Sequence, residues 1–442
     1  MTVLTLDDYI YWLWLSLAGG VNNNNYSLLL EHFKSAENVY NANLDDYSKV
    51  DGLDCKFAKK LTDKDLARAK EIYDFCTEHS VRLLHCMEPD YPIKLKWIYA
   101  YPVLLYVYGT LPNLNEVLTV GVVGTRKFTD YGRIAAYRIG GGLARSKAVV
   151  ISGMAHGNDS IAQLATINNG GKTIAVMGTG IDRIYPPEHR ELAKLIAKNG
   201  ALVTEYPPGT PPVGKNFPMR NRIISGLSDA VVLIESTARS GALITTKLAT
   251  EQSRGVYAVP GDITSPTSVG PISLIKAGAK PVTSAADIVE DFVCQYSYLG
   301  SVIENTNFDV AVPKGINTAS ESTLIFQKQK AKRFSLAAPA NDGILERAFS
   351  PARKTGKRKE DRKKSVSEAN KPAEKKPAKQ IPASLSEVET YIYNKIYDSG
   401  NINIEELTSE KYSVSEIMSA LTKLEILDLI KALPGDFYIP AE

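Results

Sequence analysis

Four short segments between residues 124 and 247 carry the residue types that could do chemistry, and each directly follows an apolar run. The first is Gly124-Thr125-Arg126-Lys127, where two cations leave a buried run just ahead of a helix. Free backbone N–H groups at a helix start, joined to positive charge, suit an oxyanion such as phosphate. The second is Ser152 to Asp159, in which Gly153 and Gly157 flank a turn. Asp159 there is either a helix cap or a site residue. The third, Gly178 to Pro186, is framed by Gly178 and Gly180 and sets Tyr185 beside Arg183. The fourth, STARSGALITT over residues 236–246, enters a helix through Ser240-Gly241, with Lys247 following. A fifth, denser cationic stretch holds Phe217, Arg220, Asn221 and Arg222. Its guanidinium forks match phosphate oxygens. Phe217 could stack a base or belong to the core.

The elements that must position these segments are the apolar runs themselves. Leu118–Gly124, Ala148–Gly153, Lys172–Gly178, Ala201–Glu205, Ala230–Glu235 and Val256–Gly261 alternate with helical stretches. Runs that are apolar throughout predict strands buried on both faces, hence a parallel sheet covered by helices. Ligands bind such sheets beyond the carboxyl ends of the strands. Glycines stand at four of those six ends, where the backbone must turn tightly or approach a ligand. Cations, amides and an aromatic or two on adjacent loops suit a strand of phosphates better than a single metabolite.

Other chemistries find less support. No GxGxxG follows the first run, Gly140-Gly141-Gly142 lies late in a helix, and no P-loop occurs. Cys55, Cys76, Cys86 and Cys294 stand far apart without a CxxC. That argues against a metal site and for a reduced, cytoplasmic setting. His156 and His189 are the histidines near the expected edge, and no nucleophile–base pair accompanies them. No catalytic residue, cofactor or metal is expected. The opening MTVLTLDDYIYWLWLSLAGG has no basic region before its apolar stretch, unlike a signal peptide, and no membrane span is expected.

At 442 residues several domains are expected. Residues 1–85 predict a small helical domain of the helix-hairpin type. Residues 86–295 predict the sheet domain, with an added strand at Val103–Tyr108. Residues 296–383 predict a flexible linker. Within it, residues 351–380 hold twelve Lys and Arg against four Asp and Glu, in a chain whose net charge is +3. Too few apolar residues are present there to offset the entropy of ordering. Residues 384–442 predict a winged-helix domain: helices at 385–396, Glu405–Tyr412 and Ser415–Glu425, then a hairpin around Pro434-Gly435-Asp436. The third helix offers Lys423 as its one basic residue, a poor reader of base edges.

VGTRKFTDYG, SGMAHGNDSIAQLA, TIAVMGTGIDRIYPPEHREL, TEYPPGTPP, FPMRNRIISGLSDAVVLIES, SGALITT and AVPGDI follow one another over about residues 91–292. In order and spacing they resemble the DprA/Smf family. The resemblance implies an extended Rossmann-like α/β core with a helical domain in front and a winged helix behind. It further implies a homodimer without catalytic activity that binds single-stranded DNA. In natural transformation such a protein protects incoming strands and loads the RecA recombinase against single-strand-binding protein. By motif position Arg126 is similar to the arginine of a DNA-contacting GTR loop, and Arg220, Asn221 and Arg222 to residues lining the same pocket. The chain departs from the family pattern at Asn158, Gln163, Ser253-Arg254 and Gly270-Pro271-Ile272.

Two other readings stand beside this one. A nucleotide-processing enzyme of the phosphoribohydrolase-like Rossmann group would need a carboxylate in its PGGxGTxxE loop, where this chain has SGALITT and no glutamate before Glu251. A scaffold with a vestigial core would not need Arg126 or the FPMRNR run.

Overall fold

The structure, a computed structural model, describes residues 6–313, 385–399, 402–403, 412, 414–427, 429–433 and 437–440. Two compact units divide the chain, Met1–Arg353 and Lys354–Glu442.

The first unit is built on nine strands: β1 Arg82–His85, β2 Leu104–Gly109, β3 Thr119–Val123, β4 Val149–Ser152, β5 Thr173–Val176, β6 Gly200–Thr204, β7 Ala230–Leu233, β8 Gly255–Ala258 and β9 Lys280–Pro281. Their order in the sheet is β1-β2-β6-β5-β4-β3-β7-β8-β9. Strands β3 to β9 pair in parallel, while β2 joins β6, and β1 joins β2, antiparallel. All six expected runs are strands, and every residue of β3 to β7 is buried. From β3 the chain winds outward to β6, then returns to lay β7 on the other side of β3. The direction of winding reverses between β3 and β7, the place where open α/β sheets bind ligands.

Helices α1 Leu6–Gly19, α2 Asn25–Phe33, α3 Ala36–Asn41, α4 Leu44–Ser48, α5 Cys55–Lys60 and α6 Ala67–Glu78 precede the sheet. Their apolar residues, among them Leu13, Leu15, Leu29 and Ile72, share one continuous core with Leu105, Ile174, Val176, Ile223 and Ile224. The front helices therefore pack as part of the sheet unit, and β1, inside the stretch expected to be all helical, is a strand of the same sheet.

Helices α7 Asp130–Arg145, α8 Asn158–Asn168, α9 Arg190–Asn199, α10 Asn216–Leu227, α11 Gly241–Glu251 and α12 Val269–Lys276 connect the strands, and α13 Ala286–Val289 and α14 Tyr298–Asn305 follow them. Helices α7, α8, α13 and α14 bury their apolar faces in a second core. The described part of the expected linker, residues 296–313, belongs to this layer: Val310 is buried, and Arg145 Nη1 donates to the carbonyls of Asn307 and Asp309. The remainder of the expected linker lies outside the described residues.

Gly140-Gly141-Gly142 serves packing. A Cβ on Gly140 would press on the backbone of Ala162, and one on Gly142 would press on Ala285. The triplet thus lets α7 lie directly on α8 and α13.

In the second unit α15 Glu387–Ser399 and α16 Val414–Ile426 pack through Ile392, Ile396, Ile417, Leu421 and Leu424. Strands β10 Ile402–Asn403, β11 Ile430–Leu433 and β12 Phe437–Pro440 form an antiparallel sheet in the order β10-β12-β11. This is the winged-helix pattern. Helix α16 runs on through Ile426, and β11 begins at Ile430. The expected helix at Glu405–Tyr412 lies outside the described residues, Tyr412 apart.

The obstacle at Gly140 is backbone, which cannot rotate away, and overpacking of this kind costs about 1–3 kcal/mol. Gly140→Val is expected to lower the urea midpoint accordingly. An unchanged midpoint would contradict the packing of α7 on α8.

Candidate nucleic-acid interface

The carboxyl ends of β3, β4 and β5 and the start of α10 meet at one edge. After β3, Thr125 N–H donates to the Glu235 carbonyl at the end of β7, which fixes the loop across the reversal point. After β4, the backbone passes through Gly157 at φ +85°, a left-handed conformation that favours glycine. A side chain there would also strike Thr125 and Arg126. Asn158 N–H donates to Thr125 O at 3.3 Å, so the first two loops lie against each other. After β5, Asn216 Nδ2 reaches the Gly178 carbonyl at 3.1 Å and holds the start of α10 over the strand end.

Beneath this edge runs Arg220. Its Nη1 donates to Gly153 O at 3.0 Å and also to Val176 O, the ends of β4 and β5. Burial pulls its guanidinium down to about 10, with Asp159 opposing the shift and the nearby charge of Arg126 adding to it. Asp159, itself buried, accepts from Gly153 N–H at 3.1 Å. Burial raises its carboxyl above the usual range, and Arg220 opposes that rise. Arg222 is paired in the interior too, with Nη2 at 2.5 Å from Glu205 Oε2. Burial likewise raises Glu205, and Arg222 counters it.

The expectation that Arg220 and Arg222 face a ligand is thereby corrected. Each is only 5% exposed and committed to internal partners. The same holds for Ser152, whose hydroxyl donates to Val122 O at 2.6 Å, and for Asp159. Gly153, Gly157, Gly178 and Gly180 are buried as well. Together these residues form a floor. Gly153 makes room for the Arg220 guanidinium, and Gly178 for the Phe217 ring, which lies 3.0 Å from where a Cβ would stand.

On the floor stands the accessible layer. Phe217 is half-buried, with the Arg220 guanidinium 5.9 Å below its centre and Tyr185 beside it at 5.2 Å. Tyr185 and Met219 are exposed. Arg126 and Lys127 project from the first loop, and Thr125 is partly exposed beside them. Gly124 is held small by Asn158, whose side chain would lie 2.8 Å from a Cβ. Ser240 Oγ caps α11 by accepting from Ala242 N–H, and Asn221 Nδ2 reaches Gly241 O at 3.4 Å, joining α10 to α11. Lys247 lies farther along α11, exposed and 3.8 Å from Glu251.

Three further cations belong to the same loops. Lys215 directly precedes α10, Arg239 lies just before Ser240, and Arg183 stands next to Tyr185, 3.3 Å from Asp182. Among the described residues Arg126, Lys127, Lys215 and Arg239 have no ion pair. Arg183, Lys215 and Arg239 were detectable in sequence as cations between a strand end and the next helix start.

Two departures from the family pattern have structural counterparts. The Asn158 amide is fully buried, and neither its Oδ1 nor its Nδ2 finds a partner. Gln163 Nε2 bonds Ile174 O at 3.1 Å. His189, buried, has Nδ1 2.9 Å from Met154 O and its ring 4.8 Å from that of His156. Glu235 is spent on structure, accepting from Thr129 N–H and Oγ1 and from Thr267 Oγ1. Among the described residues no group of three or more His, Cys, Asp or Glu is placed to hold a metal ion, and no helix is long and apolar enough to cross a membrane.

Comparison with known proteins agrees with this geometry. A family model described as DNA recombination-mediator protein A matches residues 82–293. The DNA processing protein DprA of Bacillus subtilis is 41% identical over 214 residues, 48% of this chain and 72% of that protein. DprA of Streptococcus pneumoniae is 43% identical over 206 residues, 47% of this chain and 72% of that protein. The X-ray structure of DNA processing protein A from S. pneumoniae matches with a TM-score of 0.56 at 33% identity, covering 66% of this chain and 99% of that one. The sheet, the loops at its carboxyl edge and these relatives together place the chain in the DNA recombination-mediator protein A family, known also as DprA/Smf.

Proposed function

We propose that the chain binds single-stranded DNA along the carboxyl edge of the sheet and acts, without catalysis, as a recombination mediator. The observation that carries this reading is the row of cations without an ion pair among the described residues, Arg126, Lys127, Lys215 and Arg239, beside the half-buried Phe217 and the exposed Tyr185. A positive groove that follows the backbone, with rings that accept any base, is how proteins hold single strands without reading sequence. In this reading Arg126, Lys127, Thr125, Asn221, Ser240 and Gly241 face the strand. Gly124, Ser152, Gly153, Gly157, Asp159, Gly178, Gly180, Arg220 and Arg222 shape the floor, and Lys247 adds charge at the margin. The family resemblance extends the proposal to protection of incoming strands, loading of RecA against single-strand-binding protein, and a cytoplasmic homodimer. The names of the relatives, DNA processing proteins, support the same direction.

The nucleotide-enzyme reading lacks its main requirement. The start of α11 offers hydroxyls and no carboxylate, and Glu251 stands at the far end of that helix beside Lys247.

Removing two phosphate contacts from a single-strand site should weaken binding and flatten its salt dependence, by about 0.7 in the log–log slope per contact. Arg126→Ala with Lys127→Ala is therefore expected to lower oligo-dT affinity roughly tenfold or more at low salt and to reduce the slope by about 1.4. Fluorescence anisotropy over a salt series measures both. Wild-type affinity and slope in the folded variant would contradict the proposal. Arg220→Ala, in contrast, strips the donor from the buried Gly153 and Val176 carbonyls and is expected to cost about 1–3 kcal/mol of stability in urea unfolding. A variant of unaltered stability would show that Arg220 is no part of the floor. A chain lacking residues 384–442 is expected to retain its affinity for oligo-dT. Loss of that affinity would assign the strand to the winged helix.

A further inference from the structure

The opposite end of the sheet carries an aromatic, cationic cleft that the proposed interface does not use. It opens where β3, β7 and β8 begin, so the length of the strands, roughly 15 Å for five residues, separates it from the carboxyl edge. Its volume is about 420 Å³, within the range of small-molecule sites.

Trp97 forms one wall. The chain has three tryptophans, and Trp12 and Trp14 are 5% and 4% exposed, whereas Trp97 is 73% exposed. Tyr99, two residues on, is 74% exposed. A large ring left in water in this way is an available stacking surface, since burial would otherwise favour it by several kcal/mol. Ile93 and Phe292 add apolar surface to the cleft, and Asn115 and Gln295 add amides.

The charged groups of the cleft are Lys94, Asp229 and Arg254. Lys94 Nζ lies 2.7 Å from Asp229 Oδ2, and that carboxylate also accepts from Thr119 N–H and Oγ1 and from the Tyr296 hydroxyl. Asp229 is thus saturated. Arg254 Nη2 donates to the carbonyls of Lys94 and Gly226, which position the guanidinium without neutralising it. Its Nε is buried with no acceptor, and no ion pair reaches it among the described residues. Lys94, Asp229 and Arg254 leave the cleft one net positive charge, in a lining that also holds an exposed ring and two amides.

We propose that this cleft binds a nucleotide, with its base stacked on Trp97 and its phosphate at Arg254. A planar heterocycle with an anionic group matches the ring, the amides and the single cation. An apolar side chain would leave the Arg254 charge without a counter-ion. The nucleotide could be a free nucleoside monophosphate or one unit of a strand that continues around the molecule from the carboxyl edge. The second source rests on the proposed function, and the first does not.

Because Trp97 is the one exposed tryptophan, its emission reports occupancy directly. The full-length protein is titrated with dAMP, with oligo-dT of about 6 nucleotides and with oligo-dT of about 30, and anisotropy of the labelled oligonucleotides is followed in parallel. Quenching by dAMP supports a pocket for the free nucleotide. Quenching by the long strand alone supports a strand that reaches the cleft. In either case Trp97→Phe should abolish the emission response. When the long strand quenches, Trp97→Ala should weaken its binding about fivefold or more while leaving the short strand unaffected. Anisotropy that reports bound strands with unchanged emission from every ligand overturns the cleft and leaves the carboxyl-edge reading standing. Quenching by dAMP with no bound strand does the reverse. Silence in both readouts overturns both.

Discussion

The carboxyl edge of this sheet depends on one buried guanidinium. Arg220 gathers the last carbonyls of β4 and β5, and its charge is met by Asp159 from the start of α8. Carbonyls at strand ends have no further ladder partner, and a buried acceptor without a donor is costly. Here one side chain supplies donors to both. A charge at this depth is tolerable because it is hydrogen-bonded to both carbonyls and lies in the field of an opposite charge, and removing it would leave the carbonyls without a donor. The side chain comes from α10, so the helix is locked to the sheet with Phe217 above it and Asn216 on Gly178. The positions of the surface groups follow from that lock.

The edge is thus divided by depth into two kinds of cation. Arg220 and Arg222 are internal, the first bonded to strand-end carbonyls and the second paired with Glu205, and they set geometry. Arg126, Lys127, Lys215 and Arg239 are external and have no ion pair among the described residues. Exposed charges interact weakly with any single partner, and salt screens them. In the proposed reading, spread along several loops they act together on a line of phosphates, and the rings of Phe217 and Tyr185 add contact that does not depend on base identity. Low specificity and strong salt dependence would then be two consequences of one arrangement.

Much of this was legible in the residues. Six apolar runs, their terminal glycines and the motif order were enough to locate the sheet, its carboxyl edge and the family. The strands at the margins were not legible. Arg82–His85 and Lys280–Pro281 are too short for any period to show. They are strands because a neighbour's open edge pairs with them. The division of cations was partly legible. Arg220 shares the spacing of Ile223, Ile224 and Leu227 on α10, which places it on the inward face of that helix. In the FPMRNR run charge alone does not show this, and the helical period does. The start of the linker was misplaced for another reason. Residues 296–313 pack through isolated anchors such as Leu299, Val302 and Val310, and scattered anchors leave no pattern to read.

The most direct test of the central claim is anisotropy of labelled oligo-dT and of a matched duplex, each at low and at high salt. The account predicts that the single strand binds more tightly than the duplex and that its affinity falls steeply as salt rises. Equal affinity for strand and duplex, or binding indifferent to salt, would contradict it.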